Sequence, residues 1–220
     1  MGNPGTGKTT IARLLSNIYK EMGILEKGNL IESDRSSMVA GYQGQTASKT
    51  DEIINKAIGG TLFIDEAYTL TRGGSDFGQE AIDTLIKRME NEQNKFIVIV
   101  AGYTEEMKEF LDSNPGIKSR FTNLFLFEDY TPRQMLEIGL DISNKNGYKL
   151  DEGAWQLLLE IFENLYNKRD KNFGNARTVR NILFKAISNQ EERILTISNP
   201  DIEHLTTIIY EDVKKIESFD

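Results

Sequence analysis

The sequence of 220 residues predicts an α/β fold, a mostly parallel sheet flanked by helices, followed by a small all-helical part. Three observations predict it. Strand-like and helix-like segments alternate through the first 130 residues, which is typical of parallel strands joined by crossover helices. The strand-like runs are continuously apolar, as expected for strands buried on both faces. Beyond Pro132 the apolar residues recur at helical spacing.

The elements of the first part follow in order along the chain. Apolar residues at helical spacing from Ile11 to Met22, with Gly23 as a C-terminal cap, predict the first helix. Strands are predicted over residues 29–33, 61–65, 95–101 and 123–127, and the apolar stretch 62–64 is the clearest of them. Further helices are predicted over residues 50–58 and around 82–89.

The second part begins where the pattern changes, at Asp129 to Pro132. Thr131 and Pro132 are typical of an N-cap and of the first turn of a helix. We therefore place the boundary between residues 1–130 and residues 131–220. One later helix is lined by Trp155, Leu158, Leu159 and Phe162, and another by Val179, Ile182, Leu183, Ala186 and Ile187.

Composition excludes several classes of function. The chain has no cysteine and one histidine, so disulfides, thiolate metal sites and multi-histidine metal sites are excluded. The net charge is −8 and no basic stretch is present, which disfavours nucleic-acid binding. The sequence contains no apolar run long enough for a membrane span and opens with no secretory signal, so we expect a cytoplasmic protein.

The chain opens with a phosphate-binding loop pattern. Glycines allow successive backbone N–H groups to face phosphate oxygens, and the following helix offers its positive end. In this pattern the lysine reaches the β- and γ-phosphates and the final threonine binds Mg²⁺. The candidate ATP-binding residues are Gly2, Asn3, Pro4, Gly5, Thr6, Gly7, Lys8 and Thr9.

Two carboxylates, Asp65 and Glu66, follow the buried strand that ends near Ile64. Ligands of open α/β sheets bind at the carboxyl ends of the strands, so both acids are expected at the ligand-binding edge. We predict that Asp65 holds Mg²⁺ and that Glu66 polarises the attacking water. Their 57-residue separation from Lys8 (65 − 8) leaves room for the intervening helices and strand. The two motifs together predict nucleoside triphosphate hydrolysis.

These strings also resemble a known family. Residues 2–9, 59–68, 76–85, 101–103 and 114–121 look like the CbxX/CfxQ branch of the AAA+ ATPases, with the greatest likeness to the stage V sporulation protein K group. The resemblance covers nearly the whole chain. It implies a P-loop core with a helical lid, and a ring-forming, usually hexameric, ATP-driven remodeller of protein substrates. Relatives in this branch include activators of carbon-fixing enzymes, sporulation proteins and secretion ATPases. No residue of this sequence indicates which of these functions the chain has.

The resemblance also implies roles for individual residues. Arg120 matches the arginine finger that reaches the γ-phosphate on a neighbouring subunit, which would make hydrolysis depend on assembly. Arg177 matches the lid arginine that contacts the nucleotide, and Arg180, one turn further on, is a weaker candidate. The first sensor is either Tyr103 or Thr104, although Thr104 is equally suited to cap a helix.

By the same resemblance, Tyr42, Gln43 and Gly44 lie in a central pore loop that grips a substrate peptide. An aromatic side chain between glycines combines a large contact surface with a mobile backbone. Gln43 occupies a position where the family commonly has an aliphatic residue. The alternative is an ordinary turn that carries a half-buried tyrosine.

One feature departs from the pattern, because a P-loop fold has a buried strand directly before the loop and here Met1 precedes Gly2. We therefore expect a core that lacks its first strand, and an N-terminally shortened form of a longer protein. This leaves two alternatives to an active remodeller. One is a truncated, non-catalytic module that acts by binding proteins. The other is a nucleic-acid-dependent ATPase, which the acidic composition disfavours.

Overall fold

The computed structural model describes residues 1–42, 44–72 and 77–216, which form two compact units. The first unit comprises Met1–Gly2 and Gly7–Phe127, and the second comprises Asn3–Thr6 together with the chain from Glu128 onward. The phosphate-loop residues 3–6 therefore group with the helical unit rather than with the sheet. In the described ranges, no helix has the length and apolarity needed to cross a membrane.

The first unit is built on a three-stranded parallel sheet in the order β1 (Leu30–Ser33), β2 (Thr61–Ile64) and β3 (Ile97–Val100). Every residue of the central strand β2 is buried, which confirms the strand predicted from its apolar run. The register places Ser33 opposite Ile64 and Ile64 opposite Val100, so the three strands end level with one another. This common edge carries the residues that follow β2 and β3.

Helices surround this sheet in the first unit. They are α1 (Lys8–Glu21), α2 (Arg35–Met38), α3 (Thr46–Ala57), a 3₁₀ turn (Ala67–Thr71), α4 (Phe77–Asn91), α5 (Thr104–Asp112) and α6 (Pro115–Arg120). The core that they enclose contains Met38, Ile54, Leu62, Ile64, Tyr68, Ile82, Leu85, Met107, Phe110 and Ile117.

Helix α3 begins four residues earlier than the sequence predicted. Thr46 and Thr50 form the buried face of its first turns, and both are fully buried. The Thr46 hydroxyl accepts the Ala40 N–H at 3.0 Å, and the Thr50 hydroxyl donates to the Met38 carbonyl at 3.1 Å. Because threonines rather than fully apolar side chains line this face, the apolar pattern did not reveal the helix start.

The strand predicted over residues 123–127 is wrong. The segment forms one isolated parallel bridge, between Phe127 and Gly2. The Phe127 N–H donates to the Met1 carbonyl at 2.8 Å, and the Met1 ammonium donates to the Phe125 carbonyl at 2.7 Å. The side chains of residues 124–126 are largely exposed instead of packed on a sheet. Between this segment and β3 lies a mainly apolar cavity of about 490 Å³, also lined by Ile11 and Leu15 of α1. A single bridge leaves too few ladder bonds to define a strand.

The second unit is helical. It contains α7 (Pro132–Lys145), α8 (Glu152–Asn167), α9 (Ala176–Ile194), α10 (Ile202–Thr206) and α11 (Tyr210–Lys214), with a two-residue parallel pairing of β4 (Lys149–Leu150) and β5 (Thr207–Ile208). Thr131 caps the start of α7 and Pro132 lies in the first turn, as the sequence predicted. Gln134 completes a capping box with Thr131, which the sequence analysis did not predict. The core contains Met135, Leu158, Phe162, Val179, Ile182, Leu183, Ile208 and Val213.

A buried ion pair joins two helices of this unit. The Arg193 guanidinium donates to both carboxylate oxygens of Asp212, at 2.8 and 2.9 Å, and the Asp212 side chain is only 1% exposed. Asp212 also accepts the Ile209 N–H at 3.0 Å. The hydrogen bonds to Asp212 raise the pKa of Arg193 above its ordinary value.

Candidate functional site

The phosphate loop has the backbone expected of an anion cradle. Gly5 and Gly7 adopt left-handed conformations, with φ of 71° and 88°, which glycine tolerates without a steric penalty. The Thr6 hydroxyl donates to the Asn3 carbonyl at 2.8 Å and closes the turn. Within the described ranges, the N–H groups of Gly5, Thr6 and Gly7 meet no hydrogen-bond acceptor. Consecutive N–H groups without an acceptor are suited to donate hydrogen bonds to phosphate oxygens.

Lys8 begins helix α1 directly after the loop. Its ammonium group donates to the Gly2 carbonyl at 2.8 Å, within the first unit. The first turn of α1 contains no acidic residue, so the positive end of the helix is not neutralised from within its own sequence. Thr9, whose hydroxyl is the candidate Mg²⁺ ligand, is half-buried in this turn.

Asp65 and Glu66 lie at the edge of the sheet, directly after β2, and both are exposed. The Asp65 N–H donates to Ser33 at the end of β1, and the Ala67 N–H donates to Ala101 after β3. These bonds fix the backbone on both sides of Glu66, whose own φ of 48° and ψ of 42° are left-handed. Neither carboxylate forms an ion pair with a described residue, so their oxygens are available to a ligand.

Tyr103 occupies the N-cap position of α5, and Thr104 is the first residue of that helix. The interpretation of Thr104 as the helix cap is therefore wrong, and no side chain caps this helix. The Tyr103 ring lies 6.2 Å from the ring of Tyr68, which the sequence did not single out. Burial, with a smaller contribution from Glu66, raises the pKa of Tyr68 to about 12. The Tyr68 hydroxyl therefore stays protonated well above neutral pH.

Arg120, the proposed arginine finger, ends helix α6 and contacts its own subunit. Its guanidinium donates to the Glu90 carboxylate at 2.7 Å and to the Gly116 carbonyl at 3.3 Å. The Arg120 side chain is 25% exposed, whereas its partner Glu90 is 66% exposed. Pairs of this kind on a surface are weak, so the guanidinium can exchange partners at small cost.

Arg177 and Arg180 are exposed on the first turns of α9, in the second unit. The backbone of Arg177 lies close to Gly5, since a Cβ added to Gly5 would stand 2.9 Å from the Arg177 nitrogen. The structure thus brings Arg177 beside the loop residues that belong to its own unit. Among the described residues, neither guanidinium has an ion-pair partner.

The candidate pore loop lies between α2 and α3. Tyr42 is 75% exposed, so its side chain is not half-buried as the alternative of an ordinary turn expected. Gly44 has a φ of 80° and open space around its Cα. Gln43 lies outside the described residues. So does Asp76, the first residue of the stretch 76–85 that resembles the family. Gly41, Asp65 and Glu66 line one open cavity of about 670 Å³ in the first unit.

Two residues that the sequence patterns did not reveal, one buried and one largely buried, contact the phosphate loop from within the second unit. Asn175 is fully buried and adopts a φ of 50°, while Asp129 accepts a hydrogen bond from Asn3 at 2.9 Å. The tolerance of asparagine for positive φ, directly before a helix, is the one local signal that could have revealed Asn175. Asp129 carries no such signal because its partners are distant in sequence.

A glycine-rich loop that opens a helix, with carboxylates at the end of a neighbouring parallel strand, defines the class of P-loop nucleoside triphosphatases. The family model of the "ATPase family associated with various cellular activities (AAA)" matches residues 1–129, and the "AAA lid domain" model matches residues 131–219. The chain belongs to the AAA+ ATPases, in the CbxX/CfxQ group and close to stage V sporulation protein K.

Individual relatives agree with this assignment. Stage V sporulation protein K of Bacillus subtilis is 48% identical over 196 residues, which are 88% of this chain and 61% of that protein. The chain therefore spans about three-fifths of that relative's length. Protein CbbX of Cereibacter sphaeroides is 38% identical over 99% of this chain and 71% of its own length. A chloroplastic ribulose bisphosphate carboxylase/oxygenase activase of Cyanidioschyzon merolae is 40% identical over 99% of this chain and 75% of its own length.

Solved structures show the same fold. The crystal structure of the FIGL-1 AAA domain superposes with a TM-score of 0.64 over 97% of this chain and 67% of that chain. The sequence identity is 15%, so this likeness concerns the fold alone.

Proposed function

We propose that this chain binds and hydrolyses ATP at the phosphate loop and uses the energy to remodel a protein substrate as part of a homo-hexameric ring. The observation that carries the proposal is the combination of loop N–H groups without acceptors and two unpaired carboxylates after β2. Such N–H groups suit an anionic ligand, and such carboxylates suit a cation.

The residues present fit ATP with Mg²⁺. The Thr9 hydroxyl and the Asp65 carboxylate, whose oxygens accept only the Glu66 N–H among described donors, would hold the ion. Mg²⁺ bound there neutralises phosphate charge. Gly2, Asn3, Pro4, Gly5, Thr6 and Gly7 would surround the phosphates with Lys8, whose ammonium group would exchange the Gly2 carbonyl for phosphate oxygens.

The catalytic roles follow from position and charge. Glu66, exposed and held in a fixed backbone conformation, would accept a proton from the attacking water. Tyr103 would orient that water or the terminal phosphate from the end of β3. Arg177, beside Gly5, would contact the nucleotide from helix α9.

Assembly would complete the site. We propose that Arg120 leaves Glu90 and stabilises the γ-phosphate bound to a neighbouring subunit. The exposed ring of Tyr42, with Gln43 and Gly44, would contact the substrate peptide in the central pore. The substrate would be a protein, as the name of the ribulose bisphosphate carboxylase/oxygenase activase relative suggests. No nucleic acid is required.

The deciding experiment measures ATP turnover against protein concentration for the unsubstituted chain and three variants. Lys8→Ala should abolish ATP binding. Glu66→Gln should bind ATP and lose turnover by at least a hundredfold, the range of a lost general base. Arg120→Ala should remove the rise of turnover with concentration and leave ATP binding unchanged.

Asp141→Asn, an exposed acid on α7, is the matched control and should behave like the parent chain. If Glu66→Gln turned over ATP at the parent rate, the assignment of the base would be wrong. If the parent chain bound no ATP at any concentration, the alternative of a non-catalytic, protein-binding module would replace the proposal.

A further inference from the structure

One carboxylate, Asp129, is shared between the phosphate loop and the start of helix α9. Its oxygens accept the Asn3 side-chain amide at 2.9 and 3.1 Å and the Asn175 amide at 2.8 Å. The Arg169 guanidinium lies 3.6 Å from the second oxygen and partly balances the charge. The Asp129 side chain is only 16% exposed. All of these residues belong to the second unit.

The side-chain amide of Asn175 forms hydrogen bonds through both its oxygen and its nitrogen. Its amide oxygen accepts the Tyr130 N–H at 2.8 Å, and its amide nitrogen also donates to the Pro4 carbonyl at 3.2 Å and to the Phe173 carbonyl at 3.0 Å. Its positive φ of 50°, unusual for a residue with a side chain, is held by these bonds. Asn175 immediately precedes α9 and lies two residues before Arg177.

The carbonyl groups of three successive loop residues are held by the same segments. Besides the Asn175 contact with Pro4, the Ala176 N–H donates to the Gly5 carbonyl at 3.2 Å, and the Tyr130 hydroxyl donates to the Thr6 carbonyl at 3.2 Å. Gly5 packs so closely that an added Cβ would stand 2.1 Å from the Gly174 carbonyl oxygen. With the carbonyls fixed, the loop N–H groups remain for phosphate.

We propose that Asp129 and Asn175 are positioning residues that set the phosphate loop for nucleotide and link nucleotide binding to the start of α9. This inference rests on the proposed nucleotide site and goes beyond it, since it assigns a role to two residues that contact the loop. A phosphate that orders residues 3–6 also orders the hydrogen bonds to Asn175 and Ala176. The backbone of Arg177 is thereby fixed in the presence of ligand.

The test is a titration with ADP and Mg²⁺, which needs binding and no hydrolysis. Asp129→Asn keeps the side-chain volume and removes the charge that accepts two amide donors, and Asn175→Gly keeps the backbone conformation and removes every side-chain bond. Each should weaken ADP binding about tenfold, the effect of losing a hydrogen bond to a charged group. Asp141→Asn removes an exposed charge on α7 and should change ADP binding less than twofold.

A merely structural role is separated by a double-mutant cycle with Arg177→Ala. If Asn175 positions Arg177, the loss of affinity caused by Arg177→Ala should be clearly smaller in the Asn175→Gly background than in the parent. Equal losses in both backgrounds would overturn the proposal, as would variants that melt at a lower temperature while their folded fraction binds ADP like the parent.

Hydrogen exchange on the unsubstituted chain provides a measurement that does not depend on any variant folding. ADP should slow exchange at the Ala176 and Arg177 amides as well as in the loop, and protection of the loop alone would contradict the link. A chain that binds ADP without hydrolysing ATP would refute the proposed function and leave this inference standing. A chain that binds no ADP would overturn both.

Discussion

Two pairs of carboxylates, one pair in each unit, lie in opposite environments. In the first unit, Asp65 and Glu66 stand exposed at the end of β2 and have no ion-pair partner among the described residues. In the second unit, Asp129 and Asp212 are nearly buried, and each accepts at least three hydrogen bonds. Burying a charge is tolerated only with such partners, so the second pair holds structure together. The first pair keeps its oxygens for a ligand.

This difference arises from local backbone rather than from residue type. Asp65 and Glu66 follow a buried strand whose end reaches solvent, so their side chains leave the core at once. Asp212 lies in the first turn of α11, which packs on α8 and α9. We expect three substitutions of acidic residues to lower the free energy of unfolding by decreasing amounts.

The largest effect is expected for Asp212→Ala, because it leaves the Arg193 guanidinium without its carboxylate partner. Breaking a buried pair by removing one member costs about 3–5 kcal/mol. Urea unfolding followed by circular dichroism measures it, with Asp141→Ala as control. The Asp141 pair with Lys145 is exposed and should contribute at most about 0.5 kcal/mol. Similar losses for the two variants would refute the distinction between buried and exposed acids.

An intermediate effect is expected for Asp34→Ala. Asp34 is exposed but caps α2, where hydrogen bonds from Ser37 and Ser36 lower its pKa below the ordinary 3.8. Losing such a cap costs about 1 kcal/mol. A carboxyl whose pKa is lower in the folded state stabilises above its unfolded pKa, and this contribution is lost as the pH falls through the folded pKa.

The difference in stability between Asp34→Ala and the parent should accordingly be constant near neutral pH and shrink in acid, below about pH 4. Unfolding at a series of pH values checks this. A difference that grew on acidification would contradict the assigned hydrogen bonds.

The smallest effect is expected for Glu66→Gln, which should change the unfolding free energy by less than about 0.5 kcal/mol. Glutamine retains the backbone geometry, and the lost charge had no ionic partner among described residues. A thermal melt and an ATP turnover assay measure the contrast with Asp212→Ala. The Glu66→Gln variant should be as stable as the parent but should not hydrolyse ATP. A stability loss near that of Asp212→Ala would show that Glu66 has a structural role.

Sequence patterns predicted the features that depend on neighbouring residues. The apolar run of β2 and the Thr131–Pro132 start of α7 are confirmed, as is the order of strands and helices in the core. The strand at 123–127 was wrong because its apolar side chains pack on no sheet. Apolar content indicates burial only when a partner surface is present, and periodicity does not report the partner.

The residues of the candidate site also differ in whether a local sequence motif predicted them. Lys8, Asp65 and Glu66 were identifiable because the phosphate loop and the acids after a strand are contiguous motifs. Asp129 and Asn175 were not, because their contacts with the loop span 126 and 171 positions along the chain. Their role depends on the tertiary arrangement, which no short window of sequence encodes.

The left-handed backbone at Glu66 has a consequence for attempts to engineer this protein. A residue with a side chain costs about 1–2 kcal/mol in that conformation, and glycine avoids the cost. Glu66→Gly should therefore tolerate heat better than the parent while losing the carboxylate on which turnover is proposed to depend. Selection for thermal resistance alone would enrich inactive clones at this position, so any such library needs a parallel selection for turnover.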